Sequence, residues 1–338
     1  MAQTALKVRH CIIRSFQNTT SRNAMKSTLT RFASVLPARR TSLLALCTLL
    51  TSPILTSITR ADDAAPPSRL HALVNFEVSD KYLTPRGMIV QDQGVTFQTL
   101  FLAFLDVYDG KPDAFINNAT LVGGFWNDYG TDAVAEHVPA KGSTTTNFIE
   151  IDPIFGVSFT IAKDFKLDVT YTAFCMQILD IGTSENLETK LSYDDTKLLG
   201  AFALHPYVSF WKELDNKATA AGNFGVPSSY YFEVGIAPGV KLGSVKLEAP
   251  MRVLLPADDF YGETFAKSST VGLWEVGVKA STPLKFMPKG YGFWDAHIGV
   301  RYMKFVDRNL QQLATDGGFG TSPTKDTYQG YGGISVFF

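Results

Sequence analysis

Along most of the chain, apolar and polar residues take turns. In 165–174 Phe165, Leu167, Val169, Tyr171 and Ala173 fall on one face, and Lys166, Asp168, Thr170 and Thr172 on the other. In 245–255 Val245, Leu247, Ala249, Met251, Val253 and Leu255 oppose Lys246, Glu248 and Arg252. Trp274, Val276, Val278 and Ala280 oppose Glu275 and Lys279, and Trp294, Ile298, Val300 and Tyr302 oppose Asp295, His297 and Arg301. A period of two places successive side chains on opposite faces of a sheet. Twelve segments of this kind are predicted: 71–79, 95–107, 118–128, 147–162, 165–177, 185–195, 198–213, 228–238, 242–255, 267–281, 291–307 and 327–338. Helical periodicity is absent, as is any repeat of 33, 40 or 47 residues, which disfavours solenoids and propellers.

Many segments are longer than the five or six residues of an ordinary soluble strand, and about nine to eleven residues cross a bilayer. Short links at 163–164, 196–197 and 239–241 mostly alternate with long ones such as 80–94, 212–228, 256–266 and 308–326. The long links are rich in Gly, Asn, Asp, Ser and Thr, so they are expected to be water-facing loops. Long and short rims suit an up-and-down antiparallel barrel threaded through a membrane. The fold expectation is therefore all-β: a transmembrane antiparallel β-barrel of about 12 strands over 71–338, after a linker at 62–70.

The final segment, "YQGYGGISVFF", alternates to its last residue. In lipid no backbone N–H or C=O can stay unpaired, so a spanning sheet must close first strand on last. Phe338, Val336 and Ile334 would supply the lipid face of that closing strand. Trp126, Trp211, Trp274, Trp294, Tyr230, Tyr231, Tyr302 and Tyr328 lie toward segment ends, where interfacial rings are expected.

A strand ending in Phe resembles the assembly signal of Gram-negative outer-membrane barrels. The segment "VSDKYLTPRGMIVQ" (78–91) is similar to one in the TorF-type porins, through Ser79, Tyr82, Arg86, Gly87 and Gln91; Pro85 and the spacing depart from that pattern. The resemblance covers about 15 residues plus the tail strand. It implies an outer-membrane barrel, handled by the barrel-assembly machinery, that passes small solutes or ions.

Charge separates a leader from the body. Residues 1–61 hold nine Lys or Arg and no acid, which leaves the remainder at −10. The apolar run 41–58 follows Arg39 and Arg40, and Thr59 and Ala61 flank Arg60 as at a cleavage site. A secretory signal over 1–61 is expected, with Met25 an alternative start; Pro53 argues against a membrane-spanning anchor. Cys11 and Cys47 would leave with the leader, so neither an internal disulfide nor a cysteine zinc site is expected in the remainder.

Chemistry is sparse. The Gly-rich 315–322 lacks the Lys-Ser/Thr ending of a phosphate loop, and 106–113 lacks the closing Glu of a calcium loop. His205 and Ser209 would share a strand face, but residues four apart on a strand are about 13 Å apart, too far to share a proton. No catalytic residue, metal, cofactor or nucleic-acid surface is expected. The candidate pore-lining set is Lys166, Asp168, Glu188, Lys190, Lys246, Glu248, Arg252, Glu275, Lys279, His297 and Arg301. Lys or Arg facing mid-bilayer lipid would cost about 2–4 kcal/mol, a cost removed by water or counter-charges within. Function narrows to a porin-like channel, with a closed-lumen structural or surface-binding barrel as the alternative. A lipid hydrolase and a soluble exported β-sandwich rank behind both.

Overall fold

The computed structural model describes residues 68–111, 113–132, 147–177, 183–215, 229–258, 260–262, 265–314 and 322–338. The proposed leader, most of the Gly-rich 315–322 loop and the tips of several long connections lie outside them. The described strands are β1 (Leu70–Ser79), β2 (Tyr82–Leu83), β3 (Ile89–Gln91), β4 (Thr96–Asp109), β5 (Ile116–Gly130), β6 (Phe148–Ile161), β7 (Phe165–Met176) and β8 (Ser184–Tyr193). They continue with β9 (Tyr207–Asp215), β10 (Tyr230–Ile236), β11 (Gly239–Leu242), β12 (Val245–Glu248), β13 (Met251–Pro256), β14 (Leu273–Pro283), β15 (Phe293–Phe305) and β16 (Asp326–Phe337).

All but β2 and β3 join one antiparallel sheet, and that sheet closes. β1 pairs with β4 from Leu70↔Leu105 to Ser79↔Thr96 and with β16 from Leu73↔Phe337 to Ser79↔Tyr331. The last residue takes part: Phe338 N donates to Ala72 O at 2.9 Å, and Ala72 N donates to Phe338 O. The alternating tail is thus held at the seam by the first strand.

The barrel has twelve staves, two of them interrupted. β10 runs into β11 through Ala237–Pro238, and β12 into β13 through Ala249–Pro250. Proline has no N–H to give the ladder, so the strands break there. Pairing carries across the break because Pro238 O accepts from Ala249 N and Pro250 O from Gly277 N, both at 2.8 Å. The inward face stays in phase through Pro250: Glu248, Arg252 and Leu254 are all buried.

Apolar side chains cover the outside. Phe76, Leu121, Val234, Val278, Ile298 and Val300 are exposed, with Ile298 at 68%. In water that surface would cost about 25 cal/mol per Å². Against hydrocarbon it costs nothing, and closure leaves no sheet edge. Tyr230, Trp274, Tyr302 and Tyr328 sit on this outer face, as the interfacial reading expects. Trp211 and Tyr231 do not. They are buried inside, stacked on one another with centroids 5.7 Å apart, and Trp126 packs beside the interior clusters.

Two further expectations fail. The strand expected over 198–213 begins only at Tyr207. Ahead of it lie a helical turn, α1 (Thr196–Leu199), and a 3-10 turn, Gly200–Phe202. The cause is Asp195, whose carboxylate accepts backbone N–H bonds from Leu204 and His205 at 2.9–3.1 Å and folds the segment back on itself. Burial works to raise the Asp195 pKa, but these N–H donors outweigh it and hold the carboxyl below its usual range.

The second failure is 80–94. Instead of a water-facing loop, it turns into the lumen as a small hairpin, β2 against β3. Tyr82, Leu83, Ile89 and Val90 are all buried there. Leaving each in water would cost about 1.5–3 kcal/mol, which drives the segment inward. Its tip is the turn Thr84–Gly87, closed by Gly87 N on Thr84 O at 3.0 Å and Thr84 N on Met88 O at 2.9 Å. Gly87 has φ +92°, and a Cβ there would meet Leu273 Cδ2 at 2.6 Å, so only glycine fits.

Candidate functional site

The strands build an interior with two unlike walls. On β7–β16 it is charged, because the polar positions of each alternating segment point inward. Ser209 Oγ donates to Glu188 at 2.7 Å, and Lys190 Nζ lies 4.1 Å from the Tyr207 ring. Tyr207 OH donates to Glu233 at 2.7 Å. Arg252 joins Glu233 at 2.5 Å and Glu275 at 2.8 Å, and Glu275 also faces Arg301 at 3.8 Å. Arg301 passes the chain to Gln329, and Gln329 to Ser79 at 3.1 Å. Side chains of seven staves, from Tyr207 on β9 to Ser79 on β1, are thereby linked into one belt of hydrogen bonds and ion pairs. Toward the turn rim, Lys166 pairs with Asp168 at 3.1 Å, Lys246 with Glu248 at 2.7 Å, and His297 with Glu77 at 3.4 Å.

The eleven residues picked from the sequence all lie on this inner face. Asp168, Glu188, Lys190, Glu248, Arg252, Glu275, Lys279 and His297 are buried, and Lys166 and Arg301 are bonded inward as above, as is Lys246. Of the tail residues, Ile334 and Phe338 are exposed on the outside, whereas Val336 is buried between Val74 and Trp294 on the neighbouring strands.

The opposite wall carries none of these eleven residues. Leu73, Leu100, Leu102, Phe104, Val122 and Ile154 of β1, β4, β5 and β6 form an apolar cluster, backed by Trp126 and Phe337. Above it, nearer the long loops, three acids are buried on β5 and β6: Asp128, Glu150 and Asp152. Tyr82 of the inward hairpin donates to Glu150, and Cys175 N donates to Asp152 at 3.2 Å.

The loop end of the lumen is filled. Leu83 and Ile89 of the hairpin pack with Trp211, Tyr231, Leu254, Leu273, Met303 and Phe305 of the wall. Phe260, Tyr261 and the helix α2 (Arg308–Leu313) cover them through Leu310 and Leu313. Asp307 caps that helix, accepting from Asn309 N at 2.8 Å and Leu310 N at 3.0 Å. The hairpin tip is locked by its backbone: Pro85 O accepts from Arg252 at 2.9 Å and Arg86 O from Tyr261 OH at 2.8 Å.

His205 and Ser209 do not meet. Ser209 is buried on β9 against Glu188, whereas His205 lies in the turn before β9 with φ +49°. There His205 Nδ1 is 3.7 Å from Asp194 and 3.9 Å from Asp195. The three ligand atoms lie within 4.8 Å of one another, but Asp195 is already engaged by backbone N–H groups.

No family model and no curated protein matches the chain. Solved structures do. The COG4313 outer membrane channel from Pseudomonas putida F1 is 12% identical, over 83% of this chain and 100% of that one, with a TM-score of 0.42. The NanC porin is 8% identical, over 79% and 98%, at 0.41. The beta domain of the Bordetella autotransporter BrkA is 11% identical, over 80% and 98%, at 0.37. The solved structures this chain is similar to thus include outer-membrane channels and porins, while the TorF-type likeness rests on residues 78–91 alone.

Proposed function

We propose that this chain is a bacterial outer-membrane barrel, exported through its 1–61 leader, that passes small ions or solutes, favours cations, and carries an internal plug at residues 82–91. The observation that carries the reading is the inversion of polarity across a closed sheet. Apolar side chains face out, and the inner face holds more acids than bases. Beyond the paired belt, the carboxyls of Asp128, Glu150 and Asp152 line the interior above the apolar wall, and Arg86 of the hairpin acts electrostatically on Glu150 and Asp152. A lumen of net negative charge raises the local concentration of cations. Ile334, Val336 and Phe338 serve as the assembly signal in this reading.

The test is single-channel recording in planar bilayers. The intact chain is expected to conduct weakly. A variant with Tyr82–Gln91 replaced by a short Gly-Ser linker is expected to conduct several times more.

A second reading, a structural or surface-binding barrel with a permanently filled lumen, is favoured by the packing of hairpin, α2 and Phe260 into one core at the loop end. It predicts no current from either protein.

A further inference from the structure

Arg86 is a cation placed where none belongs without a receptor. Its side chain is 5% exposed and sits against aromatic groups of the loop-end core. Burying an unpaired guanidinium costs several kcal/mol, so the groups around it must compensate. They form a box. The guanidinium carbon stands 4.3 Å over the Phe174 ring and 5.9 Å from Trp211. Asn186 Oδ1 accepts from Nη2 at 2.9 Å, and Glu213 Oε1 is 4.0 Å from Nε. Two aromatic faces, one carboxylate and one amide oxygen are the components that recognise a planar organic cation.

The fit is incomplete. Arg86 Nε, Trp211 Nε1 and Tyr231 OH are all buried, with no protein hydrogen-bond partner among the described residues. The wall residues belong to β7, β8, β9 and β10, all fixed in the sheet, so the box is built into the barrel and not by the hairpin that fills it.

We infer that Phe174, Asn186, Trp211 and Glu213 form a binding site for guanidinium-bearing solutes, and that Arg86 is a tethered occupant of that site. As a transport step this rests on the cation-channel reading; as a binding site it does not. The hairpin then acts as an internal competitor: a permeating guanidinium meets the box only when Arg86 has left it.

The probe is methylguanidinium chloride at millimolar concentration, with sodium chloride as control. The readout is the thermal midpoint of detergent-folded protein, followed by the gel shift of unheated samples. In Arg86→Ala, methylguanidinium is expected to raise the midpoint by about 3 °C, as a ligand near tenfold its Kd would. It should not move the intact chain, whose box is full, or Arg86→Ala combined with Glu213→Gln. If Arg86→Ala fails to fold, methylguanidinium present during refolding is expected to restore the folded band. No stabilisation or rescue of Arg86→Ala, or an equal shift in the intact chain, overturns the inference. Current recordings separate it from the channel reading: a midpoint shift without any current keeps the site and removes the transport role.

Discussion

The two inner walls of this barrel solve the same problem in opposite ways. On β7–β16 side chains meet as charges, among them the belt Glu233–Arg252–Glu275–Arg301, each paired with the next. On β1 and β4–β6 they meet as hydrocarbon, with Leu102 and Ile154 fully buried. The belt draws its strength from completeness, because removing one member strands the others in a dry interior. The apolar wall draws its strength from volume, and a lost methyl leaves a cavity but no orphaned charge. A solute passing between them would meet charge on one side and grease on the other.

The largest expected effect comes from breaking the belt at its centre. Arg252→Met leaves Glu233 and Glu275 buried without their shared cation, at a cost of about 3–5 kcal/mol. Denaturant titration of the folded band should show it, and Arg252→Lys should recover only part of the loss, since Lys cannot bridge two carboxylates in a planar fork. On the other wall, Leu102→Ala should cost about 3 kcal/mol by cavity formation while leaving ion preference unchanged. Glu150→Gln, which keeps volume and removes one acid above the apolar wall, should lower cation preference with little change in stability.

The smallest effect lies outside both walls, at the turn before β9. The Asp195 carboxyl is held below its ordinary pKa by backbone N–H donors. Its contribution to stability is therefore fully present above the unfolded-state pKa of about 4 and is lost as pH falls through the lower folded value. Asp195→Asn should remove that part of the acid-induced destabilisation, read as a flatter stability profile below about pH 4.

How much of this was legible in the sequence follows the same division. The charged wall could be read because its strands alternate cleanly. In β7 and β14 polar and apolar residues change places every step, so Lys166, Asp168, Glu275 and Lys279 announce their face. The apolar wall could not. β4 reads Leu100-Phe101-Leu102-Ala103-Phe104-Leu105, apolar toward lipid and lumen alike, and no periodicity separates the two faces. Glu150 and Asp152 do alternate with Ile149 and Ile151, a local pattern that marks them as sharing one face of β6. The hairpin at 82–91 was hidden for another reason. Its Pro-Arg-Gly tip marks a turn, which it is, but turn chemistry does not say whether a loop faces water or folds inward. The four apolar residues Tyr82, Leu83, Ile89 and Val90 were the clue. α1 and the turn at Gly200 depend on one carboxylate reaching backbone nine and ten residues on, which no local pattern encodes.

Proposed cation passage requires an interior that is negatively charged and continuous once its plug is withdrawn. The most direct measurement is the reversal potential of the Tyr82–Gln91 replacement variant in a planar bilayer across a potassium chloride gradient. A potential of the sign set by potassium, moving toward zero in Glu150→Gln, is the predicted result. A potential of the sign set by chloride, or no current at all from a protein that still shows the folded-barrel gel shift, would contradict it.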